Sequence, residues 1–184
     1  MLYIISGASR AGKTLVAQRT SAKKGISYFS LDWLVMGFTN GIPEYGVHHM
    51  LFPHEIAEKS WSFIKAMLES MLYNDVDYII EGEAILPELI TELVKKHPNK
   101  LKICFLGFTK VDHSKKAKAI KAFGVLENDW LLDKSDAYIL DHVKNMVAHS
   151  IKVETSCTEH GMAYFDTSKN FEASIERVIA YLLA

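Results

Sequence analysis

Eight residues near the N-terminus, Gly7-Ala8-Ser9-Arg10-Ala11-Gly12-Lys13-Thr14, limit the choice of fold more than the rest of the chain. Their spacing is G-x-x-x-x-G-K-[ST]. A short apolar run, Leu2 to Ser6, precedes them, and a helix-forming segment, Thr14 to Lys24, follows. Strand, glycine-rich turn and helix N-terminus in that order make a phosphate-binding loop. Glycine tolerates backbone conformations that other residues resist, and amide N–H groups can then converge on phosphate oxygens. The helix dipole adds favourable potential for an anion there. Lys13 is expected to reach the β- and γ-phosphates and the Thr14 hydroxyl to ligate Mg²⁺. A nucleoside triphosphate is the ligand implied.

The remaining chain alternates strand and helix patterns. Gly25 is a helix C-cap, and Ile26 to Ser30 reads as a second strand leading into Leu31-Asp32-Trp33-Leu34. Gly37, Asn40, Gly41, Pro43 and Gly46 break the periodicity, so a loop is expected from Gly37 to Pro53. Helical spacing returns from about His54 to Tyr73. Asp77 to Glu81 is a short apolar strand of the buried parallel kind, and Leu86 to Lys96 a helix with Pro87 in its first turn. Leu101 to Phe108 is a fourth strand, and Asp112 caps a basic helix through Phe123. A longer helix spans Ser135 to His160, with Ile139, Val143, Met146, Val147 and Ile151 as its inner stripe. Ala163 to Phe165 is a fifth strand, and Asn170 to Leu183 a closing helix. The pattern predicts an α/β protein whose parallel sheet is covered on both faces, with ligands at the carboxyl ends of the strands.

The 184 residues suit one domain, 1–184, and a net charge of −1 gives no basic excess for nucleic acid or an anionic membrane. Cys104 and Cys157 lack metal-ligand or disulfide-framework spacing. No basic segment precedes the first strand, and no apolar run reaches membrane-spanning length, so a cytoplasmic protein without a signal peptide is expected.

With Gly7–Thr14, Phe29-Ser30-Leu31-Asp32, Ile79-Ile80-Glu81-Gly82, a lysine-rich helix and Tyr164-Phe165-Asp166-Thr167-Ser168, the chain resembles the nucleoside-monophosphate-kinase-like small P-loop kinases. The resemblance spans nearly the whole chain. It implies a three-layer αβα fold, a five-stranded parallel sheet in the order 2-3-1-4-5, and a helical lid over roughly 110–134. It also implies ATP, with GTP possible, and Mg²⁺. Among relatives resembling shikimate, gluconate and antibiotic kinases, an acid at the position of Asp32 meets the acceptor hydroxyl. A carboxylate there can accept the proton and orient the oxygen toward the γ-phosphorus, although Asp32 is also placed to cap a helix. Glu81 is the candidate metal ligand, with Glu83 open between metal and substrate. Thr167 and Ser168 fall where the family's adenine-contacting loop lies. Of Lys110, Lys115, Lys116, Lys118 and Lys121, Lys115 or Lys116 is expected to close over the phosphates, the others forming a solvated face.

Arg10, Arg19 and Arg177 are the only arginines, and none lies in the lid or acceptor region. Kinases of nucleoside monophosphates resemble one another in gripping phosphates with several arginines, whose forked geometry suits that work. Their absence argues for a small hydroxyl-bearing acceptor that is not a nucleotide. The acceptor pocket is expected between Gly37 and Phe52, with Tyr45, His48, His49 and His54 as polar members. The alternatives are a nucleoside-monophosphate kinase using lysines, a GTPase-like switch reading guanine through Thr109-Lys110-Val111-Asp112, and a non-catalytic nucleotide-binding module. A monomer or homodimer is expected, with neither nucleic acid nor membrane as partner.

Overall fold

The computed structural model describes residues 1–123, 131 and 133–184; residues 124–130 and 132, part of the expected lid segment, lie outside the described residues. The first half runs β1 (Leu2–Gly7), α1 (Lys13–Lys24), β2 (Tyr28–Ser30), α2 (Leu31–Gly41), α3 (Pro53–Tyr73) and β3 (Tyr78–Glu81). The second runs α4 (Pro87–Lys96), β4 (Leu101–Gly107), α5 (His113–Phe123), α6 (Asp136–His160), β5 (Ala163–Asp166) and α7 (Phe171–Leu183). The strands form one parallel sheet in the order β2-β3-β1-β4-β5, as the resemblance implies.

Alternation along β1 divides the core in two. Leu2 and Ile4 join Leu31, Phe38, Ile64, Leu68, Ile80 and Phe105 on the face covered by α2, α3 and α4. Tyr3 and Ile5 join Val16, Ile79, Leu106, Val143, Ile175 and Val178 on the face covered by α1, α7 and the first half of α6. Fully burying one such side chain is worth roughly 1.5–3 kcal/mol, so both layers are held chiefly by apolar packing. The inner stripe of α6 follows Ile139, Val143, Met146 and Val147, then turns to Ser150, Val153 and Cys157, while Ile151 is exposed. A straight helix drifts round its axis at 3.6 residues per turn, so the buried row leaves Ile151 and passes from one core to the other.

One boundary departs from the sequence reading. The segment expected to become a loop at Gly37 stays helical to Gly41, because Ser30 caps α2 and Leu31, Val35 and Phe38 bury on one face. Gly37 is exposed on that helix, where glycine costs about 1 kcal/mol relative to alanine, an amount the packed face outweighs. A 3₁₀ turn at Pro43–Tyr45 starts the connection to α3. Among the described residues, no helix is long and apolar enough to cross a membrane.

Candidate active site

The phosphate-binding loop is shaped by two backbone requirements. Gly7 has φ +117°, and a Cβ there would lie 1.9 Å from the Leu106 carbonyl oxygen, the group that accepts the Ala8 amide at 2.8 Å. Gly12, at φ +100°, opens α1 where a Cβ would meet the Ile175 side chain of α7 at 2.6 Å. Between them Ala8 and Ala11 are buried, Ser9 and Arg10 are half-buried, and Arg10 adopts φ 59°. Lys13 is folded back into this ring. Its buried Nζ donates to the Ala8 carbonyl at 2.8 Å and lies 3.5 Å from Glu83 Oε1.

Strand β3 brings the acids. Register sets Glu81 beside Ile5 of β1 and beside Ser30 of β2. The Thr14 hydroxyl donates to Glu81 Oε2 at 3.3 Å, while Glu81 Oε1 is buried without a hydrogen-bond partner among the described residues. Burial pushes the Glu81 carboxyl above its ordinary value, against the opposing pull of the Ser30 hydroxyl and the Lys13 ammonium. A threonine hydroxyl beside an under-coordinated buried carboxylate is a donor set suited to Mg²⁺, a hard cation that takes oxygen ligands. Gly82 then turns the chain at φ +150°, and its amide donates to the Ile5 carbonyl at 3.1 Å. A Cβ on Gly82 would lie 2.7 Å from the Leu31 Cβ, so glycine lets β3 pass α2 while Glu83 is delivered beside Lys13.

Asp32 sits in the first turn of α2, but the cap is Ser30, whose Oγ accepts the Asp32 amide at 3.4 Å. Capping therefore does not require the Asp32 carboxylate. The side chain is exposed at the site mouth, yet its neighbours strip enough hydration to raise its carboxyl; Lys13 lowers it and Glu83 raises it further. Asp32, Glu81, Glu83, Thr14 and Lys13 thus occupy one strand-exit cluster.

On the other side, α5 reaches the loop through Lys116. Its Nζ donates to the Arg10 carbonyl at 3.2 Å and lies 4.3 Å from the Phe108 ring centroid. Burial and the nearby Arg10 hold this ammonium below its ordinary value. Lys115 is exposed, and its amide donates to Asp112 Oδ1 at 2.8 Å. Asp112 is thereby the cap of α5, and a guanine-reading role is not needed to explain it.

The β4 and β5 exits are locked together. Thr167 is buried, and its amide and hydroxyl donate to the Gly107 carbonyl at 2.8 and 3.1 Å. Ser168 Oγ accepts the Lys110 amide at 2.9 Å, and Asp166 accepts the Thr109 amide and hydroxyl at 3.0 and 2.5 Å. Burial opposes ionisation of Asp166, but hydrogen bonds from Ser168 and Thr109 outweigh it and hold the carboxyl below its ordinary value.

The Gly37–Phe52 region, where the acceptor pocket is expected, carries contacts of its own. Tyr45 stacks on Phe38 and its hydroxyl pairs with Ser62. The adjacent His48 and His49 rings stack at 4.5 Å, with His48 Nδ1 accepting the Met50 amide. Among the described residues, no group of three His, Cys, Asp or Glu side chains forms a metal cluster. Two histidines on α6, His142 and His149, feel the charge of Glu83, and His149 also those of Lys13 and His54. The sequence held a signal for them, a polar pair seven residues apart beside the apolar stripe of a long helix.

No family model matches the sequence, and comparison with curated proteins finds no match. Solved structures do match. A shikimate kinase from Bacteroides thetaiotaomicron aligns over 100% of this chain and 99% of its own, with a TM-score of 0.59 at 17% identity. A gluconokinase from Sinorhizobium meliloti aligns over 98% of this chain and 90% of its own, with a TM-score of 0.55 at 14% identity. The chain has the fold of the small P-loop kinases. A deoxyadenosine kinase from M. mycoides, at 15% identity, aligns over 100% of this chain and 99% of its own with a TM-score of 0.50. All three alignments cover at least 98% of this chain.

Proposed function

We propose that this chain transfers the γ-phosphoryl group of ATP, as its Mg²⁺ complex, to a hydroxyl of a small molecule that is not a nucleotide. The observation that carries the reading is the convergence of Lys13, Thr14, Glu81 and Asp32 at the carboxyl ends of β1, β2 and β3. In the transfer, a bond forms between the acceptor oxygen and the γ-phosphorus, and the bond from that phosphorus to the β,γ-bridging oxygen breaks, releasing ADP. The loop amides from Gly7 to Thr14 and the Lys13 ammonium hold the β- and γ-phosphates. Thr14 and Glu81 hold Mg²⁺, which offsets phosphate charge when bound. Asp32 accepts the acceptor's hydroxyl proton and aligns its oxygen. Lys116, already anchored on the loop at the Arg10 carbonyl, moves onto the transferring group. Thr167 and Ser168 border the base through the bridge between β4 and β5.

The Asp112 cap weakens the guanine-switch reading, and the scarcity of arginines argues against a nucleoside monophosphate as acceptor. The function is expected in the cytoplasm. ADP release should be followed with purified protein, Mg²⁺, and ATP or GTP. The panel should span nucleoside monophosphates, nucleosides, shikimate, gluconate, neutral sugars, glycerol derivatives and amino alcohols. Turnover dependent on an alcohol that lacks a phosphate is expected. Strong turnover with a nucleoside monophosphate would contradict the acceptor class, and absence of any nucleotide binding would contradict the whole reading.

A further inference from the structure

Two carboxylates and an imidazole near the phosphate-binding loop are given neither phosphate nor metal in the reading above. Glu83 lies past the Gly82 turn with its side chain 24% exposed and Oε1 3.5 Å from Lys13 Nζ. Asp32 is exposed on α2 and feels the charges of both Glu83 and Lys13. Helix α6 adds His149, close enough to sense Glu83, Lys13, His54 and Lys152. His149 Nε2 is closed off from solvent and has no hydrogen-bond partner among the described residues. Buried polar atoms are ordinarily paired, and an unpaired one beside a ligand site is a ready partner for a ligand hydroxyl.

The charges select the class of ligand. Lys13 serves Glu83 only while it is folded into the loop; committed to phosphates, it leaves Glu83 behind. Of the three arginines, Arg10 is in the loop, where its charge reaches His142, and Arg19 and Arg177 are on α1 and α7. Burial favours the neutral form of both His149 and His142, so these rings serve as hydrogen-bonding groups more than as cations. Lys152 is exposed. An acceptor entering beside Asp32 therefore meets two carboxylates and neutral imidazole.

We propose that Asp32, Glu83 and His149 form the acceptor subsite, and that it takes hydroxyl compounds without negative charge, an amine being preferred because it replaces Lys13 at Glu83. The inference rests on the phosphotransferase reading above.

The test uses the full chain with ATP and Mg²⁺ and two matched probe series: glucosamine, glucose and gluconate; and serinol, glycerol and glycerate. In whichever series accepts phosphate, the amine is expected to exceed the carboxylate by at least about tenfold in kcat/KM, since like charges placed together in a site are strongly disfavoured. Glu83→Gln is expected to shrink that ratio. His149→Phe is expected to raise the acceptor KM about tenfold with the KM for ATP unchanged, as loss of one hydrogen bond in a site predicts, and His149→Gln to restore most of it. Preference for the carboxylate member, or a ratio indifferent to Glu83→Gln, overturns the subsite. Calorimetry separates the two levels of the account. ATP binding without transfer to any of the six probes overturns the subsite alone, while failure to bind ATP overturns the phosphotransferase reading beneath it.

Discussion

Lys13 shows at the scale of one residue how this site is prepared for a nucleotide. Its ammonium is buried, donates to the Ala8 carbonyl and faces Glu83, so it is held within the loop before any phosphate arrives. Lys13→Ala is expected to lower kcat/KM for ATP by about 10²–10³-fold, the scale of losing one oriented charge at a reacting group; steady-state kinetics with varied ATP measures it. A loss below about threefold would contradict the role, because a preorganised charge at the transferring group is worth more than that. The Glu83 contact works in the other direction, since a nucleotide must draw Lys13 away from it. Glu83→Gln should therefore tighten ATP binding by about two- to fivefold, the worth of a modest, partly solvated ion pair. Calorimetry on the nucleotide complex checks this, and weaker binding in the variant would show that Glu83 assists the phosphates instead of competing with them. The positions of Lys13 and Thr14 at the start of α1 were legible in the sequence because a fixed spacing encodes them. Glu83 was visible there as an acid open between metal and substrate, whereas the placement of His149 was not, since it comes from α6 packing near β3.

At the scale of the element, the exit of β3 decides where the acids stand. Gly82 is left-handed and pressed against Leu31, so neither backbone nor space admits a Cβ without movement of α2. Gly82→Ala is expected to cost about 1–3 kcal/mol, combining unfavourable φ with overpacking. In a domain of this size that lowers Tm by roughly 2–4 °C per kcal/mol, which differential scanning calorimetry resolves. An unchanged Tm would mean that α2 yields freely and that its packing does not fix Asp32. The sequence made β3 and its acids visible through a short apolar run, yet it did not reveal the tight turn that follows. It also suggested a break at Gly37. Local propensity pointed to a loop there, whereas burial of Leu31, Val35 and Phe38 carries α2 to Gly41. The stripe of α6 was read well as far as Val147 and then lost at Ile151, because the helix crosses from one core to the other and a single-faced pattern cannot describe that.

Across the whole molecule, burial of an acid at the sheet's edge bears on stability. Glu81 is 2% exposed and its carboxyl is raised chiefly by burial, so over the range between its ordinary value and its raised folded value the native state binds the more protons. Stability then falls as pH rises through that range, opposite to a salt-bridged carboxylate. Glu81→Gln is expected to flatten this part of the stability–pH curve and to be at least as stable as the parent at pH 7.5, while losing Mg²⁺-dependent activity. Thermal unfolding from pH 4 to pH 8 tests it, and parallel curves for the two proteins would contradict it. The two-sided core followed from the alternation of elements, and the strand order from the resemblance to the small P-loop kinases. The acceptor did not, because it depends on charges gathered from α2, β3 and α6.

The measurement that reaches the central claim most directly compares Asp32→Asn with the parent, after the acceptor panel has yielded a substrate. Single-turnover phosphoryl transfer and ATP binding are followed side by side. The account predicts a transfer rate lowered by about 10²–10⁴-fold, the usual worth of a positioned general base, with ATP affinity unchanged within about threefold. Transfer at the parental rate would contradict it, leaving Asp32 as a surface residue of α2 and the acceptor hydroxyl activated elsewhere.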